Sequence, residues 1–381
     1  MIALTVILLK PVLQINDMVD LLEYEGKQIF QKYQVPVTEF KVIRSESDIP
    51  DFSERMVIKA QVPVGGRGKR GGVVPVNSKQ EALIAMDKIR KIDFDGHRSE
   101  VFLLEKAYSE RRELYLSVTL DRSKELPVIL ASAEGGMDIN SVPAEKIYRH
   151  HIVPYVSVPE YVKRELGEFL GLKDRQIYEV VDALYSIYDQ MDASLVEINP
   201  LAVTDGGLTA LDSKITVEDD ALFRHQEIEP RYFGLEPVEI EARKKGLSFV
   251  RLEGDIGIIA NGAGLNMATI DMISLRGGRP ANFFDLGGTD DPAKVIEALK
   301  LESKIVSKVL FINIFGGVTR CDTVATGIVQ AVKELKPDFK IVVRLRGANE
   351  EQGRHILQEN GIESLLNLDQ AIDRVVKLAG E

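Results

Sequence analysis

Apolar positions along the chain follow two different patterns. In the first pattern, which extends to about residue 246, apolar residues at helical spacing over Leu21–Tyr33 are followed by short apolar runs typical of strands. Three of these strands follow one another, at 101–105, 114–121 and 128–132, and Asp121–Glu125 reads as a tight turn between the last two. This order of elements predicts an α+β domain with a mostly antiparallel sheet.

From Asp255 onward the chain repeats one unit, an apolar strand followed by a glycine-rich loop and a helix. Such alternation predicts an α/β domain with a doubly wound parallel sheet. Ligands of these sheets bind at the carboxyl ends of the strands, and helix N-termini there favour anions. The glycine-rich loops that begin at Asn261, Asp285 and Gly316 are therefore candidate anion sites.

The segment Leu195–Lys214 has an apolar run on each side of Asp205-Gly206, which predicts a β-hairpin with a type I′ turn at those two residues. Counting back from that turn places Asn199 opposite Asp212, and Glu197 shares their face. One carboxylate, one amide oxygen and a second carboxylate are ligands that suit Mg²⁺. The alternative is a polar face in solvent, and Pro200, which cannot donate to a ladder, indicates an edge or a break.

A second candidate site is the glycine-rich segment 65–72, GGRGKRGG, whose amides and cations could cradle phosphates. It is not a Walker A loop, because Gly72 stands where that motif requires Lys. A plain surface loop is the alternative interpretation. Lys59 lies inside a preceding apolar strand, and a Lys in that position is rare unless it is paired or reaches solvent.

Composition narrows the class of protein. The 381 residues carry a net charge of −11 without a long basic run, which argues against nucleic acid as a partner. The apolar run 2–9 is too short to cross a bilayer and lacks the flanks of a signal peptide, so we expect no membrane partner. A single Cys suits a reducing, cytoplasmic setting. We interpret residues 1–17 as an N-terminal extension that precedes the first domain, either an upstream extension of the reading frame or a loosely held tail.

Two other kinds of site are disfavoured. A dinucleotide fingerprint begins at Gly262-Ala263-Gly264, but Met267 replaces its third glycine, which weakens an NAD-dependent oxidoreductase. Cys321 begins a predicted helix but has no paired His in sequence, so packing is the preferred interpretation. None of the five histidines lies in a glycine-rich loop, and the chain offers no obvious covalent phosphoryl carrier.

Several motifs occur together in one order. They are LLEYEGKQIF, GGRGKRGG, LVEINPL, LDSK, NGAGLNMATID, ANFFDLGG, NIFGGVTRCD and VVRLRGANEEQG. From about Met18 to the C-terminus the chain resembles the β subunit of succinyl-CoA synthetase, also called succinate–CoA ligase. The resemblance implies an ATP-grasp domain at 18–246 followed by a flavodoxin-like CoA-ligase domain at 247–381.

The resemblance also implies roles for individual residues. Those expected to contact the nucleotide are Lys59, Gly66, Arg67, Gly68, Glu105, Tyr108 and Glu113. Asn199 and Asp212 would bind Mg²⁺, and Glu197 would orient a phosphohistidine that arrives from a partner α subunit. Residues that would hold the succinate carboxylates are Asn261, Gly317, Val318 and Thr319.

The implied reaction is the reversible, ADP-forming step of the tricarboxylic acid cycle that links succinyl-CoA, phosphate and ADP to succinate, CoA and ATP. The implied assembly is αβ or (αβ)₂, and the chain alone should be inactive. Thr38 falls where the family partly sets adenine against guanine preference, and Thr settles neither. A malate–CoA ligase β subunit shares nearly every motif, and a non-catalytic nucleotide-binding module remains a further alternative.

Overall fold

The structure is a computed structural model, and it describes residues 18–108, 112–154, 157–172, 175–231, 235–305 and 308–381. The predicted extension, 1–17, lies outside these ranges. The chain separates into two compact units, one within 18–231 and one within 235–381. This division falls earlier than the predicted one after residue 246, because Val238 and Ala242 pack in the same apolar cluster as Leu247 and Phe249.

The first unit contains these described elements: β1 (Met18–Asp20), α1 (Glu23–Lys32), β2 (Phe40–Ile43), β3 (Met56–Ala60), β4 (Val73–Val76), α2 (Lys79–Ile89), β5 (Phe102–Lys106), β6 (Arg112–Asp121), β7 (Leu126–Ser132), β8 (Tyr148–His151), α3 (Glu160–Phe169), α4 (Gln176–Gln190), β9 (Ala193–Thr204), β10 (Gly207–Ala210) and β11 (Lys214–Glu218). Antiparallel pairing is confirmed, but the described strands form two sheets where we expected one.

The larger sheet has the order β1-β11-β9-β6-β7-β8, and β10 also pairs with β9. The smaller sheet has the order β2-β5-β3-β4. Alternation along β9 gives the larger sheet two faces, as predicted. Val196 and Ile198 are fully buried in a core that also contains Leu184 of α4. Glu197 and Asn199 are half-buried on the other face, which is therefore the polar face of the sheet.

The hairpin has the predicted register, with Thr204 opposite Gly207, but not the predicted turn type. A type I′ turn needs positive φ at both central residues. Neither Asp205 nor Gly206 has one, and the positive φ, 104°, belongs to Gly207. Gly206 donates its N–H to the Thr204 hydroxyl at 3.2 Å, and that hydroxyl donates to the Gly207 carbonyl at 2.8 Å. These local bonds favour a turn that moves the left-handed residue one position along.

The second unit contains these described elements: α5 (Pro237–Lys244), β12 (Ser248–Arg251), β13 (Ile256–Ala260), α6 (Ala263–Leu275), β14 (Asn282–Asp285), α7 (Pro292–Glu302), β15 (Val309–Gly316), α8 (Cys321–Leu335), β16 (Lys340–Gly347), α9 (Glu350–Glu359), β17 (Glu363–Leu365) and α10 (Leu368–Gly380). The sheet order is β12-β14-β13-β15-β16-β17, and all neighbours are parallel except β12 and β14. This order is flavodoxin-like, with an added antiparallel edge strand.

Candidate functional site

A cluster of buried charges lies between α1 and the two sheets of the first unit. Glu23 and Lys27 lie four residues apart on the buried face of α1, at 2% and 0% exposure. Lys27 Nζ lies 3.1 Å from Glu23 Oε1 and donates to the Thr38 hydroxyl at 3.1 Å. It also pairs with Glu105 on β5. Burial of charged groups is tolerated only when they are paired in this way.

Lys59 on β3 joins the same cluster. Its Nζ donates to Glu23 Oε1 at 2.7 Å and to the backbone oxygen of Leu211 at 2.7 Å, and it pairs with Glu105. Although burial lowers the pKa of Lys59, Glu23 and Glu105 raise it above its ordinary value. The predicted requirement that Lys59 be paired is therefore met by two carboxylates, and its ammonium group stays charged.

Arg67 is the cation by which the glycine-rich segment 65–72 reaches this cluster. Its Nη1 donates to the Ala60 carbonyl at 2.8 Å, and its Nη2 donates to Glu23 Oε2 at 2.9 Å. The same Nη2 lies 3.3 Å from Asp212 Oδ1. Gly66, with a φ of 73°, and Gly68 flank Arg67, and both glycines are exposed.

The six charged side chains that meet here among the described residues are Glu23, Lys27, Lys59, Arg67, Glu105 and Asp212. They comprise three acids and three bases, so their charges balance. Burial raises the pKa of Glu23, but Lys59 and Lys27 outweigh it and hold that pKa well below its usual range. Burial and the nearby Glu23 raise the pKa of Asp212, against the effect of Arg67.

Asn199 and Asp212 are brought opposite each other, because Leu201 pairs with Ala210 on one side and Glu197 with Lys214 on the other. The Asn199 amide oxygen accepts from the Gly136 N–H at 2.8 Å, and its Nδ2 donates to the Met137 carbonyl at 2.9 Å. The oxygen keeps a second lone pair for a ligand.

The Asp212 side chain is 36% exposed. This amide oxygen and carboxylate fit Mg²⁺, which commonly takes few protein ligands and completes its shell with water and phosphate. Within the ranges the structure describes, no group of three or more His, Cys, Asp or Glu side chains could hold a metal ion.

Glu113 and Tyr108 lie near the strand ends that border this region. Gly135 N–H donates to the Glu113 backbone oxygen at 3.1 Å. A Cβ at Gly136 would come within 2.1 Å of the Glu113 carboxylate, so the side chain lies directly against the loop that holds Asn199. Tyr108 is half-buried just beyond β5.

Glu197 lies two residues before Asn199 on β9 and shares the polar face of the larger sheet. Its Oε2 accepts a hydrogen bond from the Tyr115 hydroxyl at 2.8 Å, and that hydroxyl also lies 3.0 Å from Ser117 Oγ. Tyr115 is 2% exposed, and burial and Glu197 raise the pKa of its phenol. The phenol therefore stays protonated and holds the Glu197 carboxylate in one orientation.

In the second unit, the predicted acid-site residues follow adjacent parallel strands. Asn261 follows β13 and Gly317 follows β15, where the strand order reverses, which is the ligand position expected of this fold. The Asn261 amide donates to the Phe315 carbonyl at 3.0 Å and accepts from the Phe315 N–H at 2.8 Å. The amide thus fixes the end of β15 and the loop that follows.

Within that loop, Val318 is 80% exposed whereas Thr319 is 1% exposed. The Thr319 hydroxyl accepts from the Thr289 N–H at 3.2 Å, which ties two glycine-rich loops together. Cys321 begins α8 fully buried, and burial, with Glu350, raises the pKa of its thiol. The predicted packing role of Cys321 agrees with this environment.

Sequence reasoning missed Glu23, Lys27 and Tyr115. The first two carried a signal, since a Glu and a Lys at i and i+4 interrupt the apolar face of α1 before Phe30. Tyr115 carried no such signal, because a Tyr in an apolar strand is an ordinary core residue.

No helix within the described ranges is long and apolar enough to cross a membrane.

Comparison with known proteins defines the class. Residues 20–203 match the family model of the ATP-grasp domain, and residues 259–377 match that of the CoA-ligase domain. An ATP citrate lyase structure from Methanothrix soehngenii superposes with a TM-score of 0.72 at 21% identity, covering 94% of this chain and 100% of the other. That likeness supports the fold. The chain is thus an ATP-grasp domain followed by a CoA-ligase domain.

Curated relatives narrow the class to one enzyme family. The ADP-forming succinate–CoA ligase β subunit of Ignicoccus hospitalis is 43% identical over 374 residues, which is 94% of this chain and 99% of that protein. Its counterpart from Bacteroides thetaiotaomicron is 42% identical over 355 residues, which is 89% of this chain and 94% of that protein. The chain belongs to the family of ADP-forming succinate–CoA ligase β subunits, and its enzyme class is ligase.

Proposed function

We propose that this chain works with a partner α subunit, as αβ or (αβ)₂, in the reversible reaction of succinate, CoA and ATP to succinyl-CoA, ADP and phosphate. The proposal places the step in the cytoplasm, within the tricarboxylic acid cycle. The observation that carries it is the charge cluster that contains Lys59, Asp212 and Arg67 of the glycine-rich segment. Cations and a metal-binding carboxylate in one place are what phosphoryl transfer requires.

The nucleotide phosphates would lie between Lys59 and the Arg67 segment with its flanking Gly66 and Gly68. Glu105, Tyr108 and Glu113 would lie toward the base and ribose. The Thr38 hydroxyl donates to Glu105 Oε2 at 2.7 Å, which places Thr38 beside one of these acids. Bound Mg²⁺, held by Asn199 and Asp212, would neutralise phosphate charge.

Glu197 would receive the imidazole of a phosphohistidine carried by the partner α subunit. A carboxylate fixed by Tyr115 can accept the ring N–H opposite the phosphorylated nitrogen and so orient the ring for transfer. Glu197 and the proposed metal ligand Asn199 lie two residues apart on one strand face, about 7 Å along the strand. The carrier and the nucleotide would therefore meet on one sheet face.

The acid site would lie at the switch point of the second unit. Asn261 and the segment Gly317-Val318-Thr319 would hold the carboxylate groups of succinate, where α6 and α8 begin and their N-termini favour anions. The exposed Val318 would pack against the partner subunit.

A coupled ligase assay tests the proposal. The chain is assayed with and without its α partner, using succinate, CoA and Mg²⁺, with ATP and GTP in parallel and malate as the competing acid. We expect activity only in the pair, and the faster nucleotide resolves the role of Thr38. Activity of the lone chain would contradict the partner phosphohistidine. Activity of the pair with malate and none with succinate would contradict the choice of acid.

A further inference from the structure

Arg67 is shared between two carboxylates of unequal environment. Its Nη2 lies 2.9 Å from Glu23 Oε2, whereas the two oxygens of Asp212 lie at 3.3 and 3.5 Å. Glu23 is 2% exposed, and the Asp212 side chain is 36% exposed. The shorter bond to the more buried partner makes Glu23 the stronger anchor of Arg67.

The two oxygens of Glu23 have separate partners. Oε1 accepts from Lys59 at 2.7 Å and lies 3.1 Å from Lys27 Nζ, whereas Oε2 is left to Arg67. The two lysines therefore fix the carboxylate in the orientation that presents Oε2 to the guanidinium. The Glu23 carboxylate therefore binds Arg67 through Oε2, while its two lysine contacts keep the carboxylate from rotating toward Asp212.

A guanidinium that pairs with Asp212 competes with any divalent cation for the same oxygens. Asp212 Oδ1 already accepts the Ser213 N–H at 2.8 Å, so Arg67 approaches the remaining lone pair of Oδ1 as well as Oδ2. A divalent ion at Asp212 would also repel the Arg67 charge within about 4 Å. Binding of the ion is therefore favoured when Arg67 stays on Glu23, the carboxylate that it already contacts at the shorter distance.

We propose that Glu23 is a positioning residue for the metal site: it holds Arg67 on Oε2 and so leaves Asp212 available to a divalent cation. This inference rests on the proposed role of Asp212 as a Mg²⁺ ligand. It predicts that Arg67 weakens cation binding and that Glu23 relieves this effect. The presence of Glu23 thus matters for metal affinity although it never touches the ion.

The test measures binding of Mn²⁺ alone to the full chain, without nucleotide, from the electron paramagnetic resonance signal of free Mn²⁺. Asp212→Asn gives the background. Glu23→Gln should weaken Mn²⁺ binding about tenfold, since it replaces the ion pair of Arg67 with a weaker hydrogen bond to a neutral acceptor and shifts Arg67 toward Asp212. Glu25→Gln is the matched control, because Glu25 lies on the same helix and pairs with Arg231 away from the cluster.

Arg67→Gln should tighten Mn²⁺ binding, and in that background Glu23→Gln should have little further effect. Unchanged or tighter binding in Glu23→Gln, or an effect that persists undiminished without Arg67, would overturn the proposal. If Glu23→Gln does not fold, Arg67→Gln decides alone, and unchanged or weaker binding in that variant counts against the proposal. Equal binding by the unmodified chain and Asp212→Asn would instead refute the metal site itself.

Discussion

Glu302, the last residue of α7, is a buried acid whose protonation should make the free energy of unfolding of the second unit depend on pH. It is fully buried, and its Oε1 accepts from Asn282 Nδ2 at 2.7 Å. Among the described atoms its Oε2 has no hydrogen-bond partner. Burial raises the pKa of Glu302 well above 4.5, against smaller opposing effects of Asn282 and Arg251. The native carboxyl therefore keeps its proton where the unfolded one has lost it.

The sign and size of the effect follow from proton linkage. Between pH 4.5 and the raised native pKa, unfolding releases one proton, so the free energy of unfolding falls by about 1.4 kcal/mol per pH unit. Glu302→Gln keeps the shape and the bond from Asn282 but cannot ionise. Relative to the unmodified chain, the variant should gain about 1.4 kcal/mol for each pH unit within that window.

A matched control lies on the same helix. Glu297 is about one-third exposed and pairs with Lys245 at 2.6 Å and Lys300 at 2.9 Å. Hydrogen bonds from Lys245 and Lys300 lower the pKa of Glu297. Its stabilising effect is present above the ordinary pKa of 4.5 and is lost only as the pH falls from there through the lowered pKa. The stability difference caused by Glu297→Gln should therefore stay constant from pH 5 to pH 7.

The assay must report on the second unit. The chain has no Trp, and all eleven Tyr residues precede residue 233, so intrinsic fluorescence would miss this unit. We would equilibrate the protein in urea at pH 5, 6 and 7, pulse-label it with deuterium at one fixed pH, and analyse peptides covering 282–302 by mass spectrometry. A stability gain of Glu302→Gln that does not change with pH would refute the buried, protonated acid.

Three further predictions concern other parts of the chain. Lys27→Met should lower the free energy of unfolding of the first unit by about 3 to 5 kcal/mol, because it leaves buried carboxylates without one of their cations. Tyrosine fluorescence in urea measures that free energy. The exposed control Lys32→Met should change it by less than about 0.5 kcal/mol. Gly347→Ala should destabilise the second unit by about 2 to 3 kcal/mol in the pulse-labelling assay, since φ is 117° and a Cβ would lie 1.9 Å from a backbone oxygen of β15. Tyr115→Phe should cut kcat of the αβ pair about tenfold by releasing Glu197, with a stability loss of only about 1 kcal/mol, and an unchanged kcat would contradict the orienting role.

The sequence alone determined much of the second unit and the register of the hairpin. Repeated apolar strands that each end in glycine leave few arrangements open, because every strand must be buried on both faces and every connection crosses over. Strict alternation likewise assigned Val196 to the core and Glu197 to the polar face, since a one-residue slip would bury the carboxylate. Both patterns are local in sequence, and each is compatible with only one arrangement that buries its apolar side chains.

Only the tertiary structure decided the charge cluster and the separation of the first unit into two sheets. Glu23 and Glu105 are 82 positions apart in sequence, and no periodicity states that one lysine, Lys27, will contact both. Charged side chains have no preferred partner until packing removes water and makes pairing obligatory. The apolar pattern therefore predicts where the chain folds, whereas the long-range pairing of its buried charges is known only once the fold has brought them together.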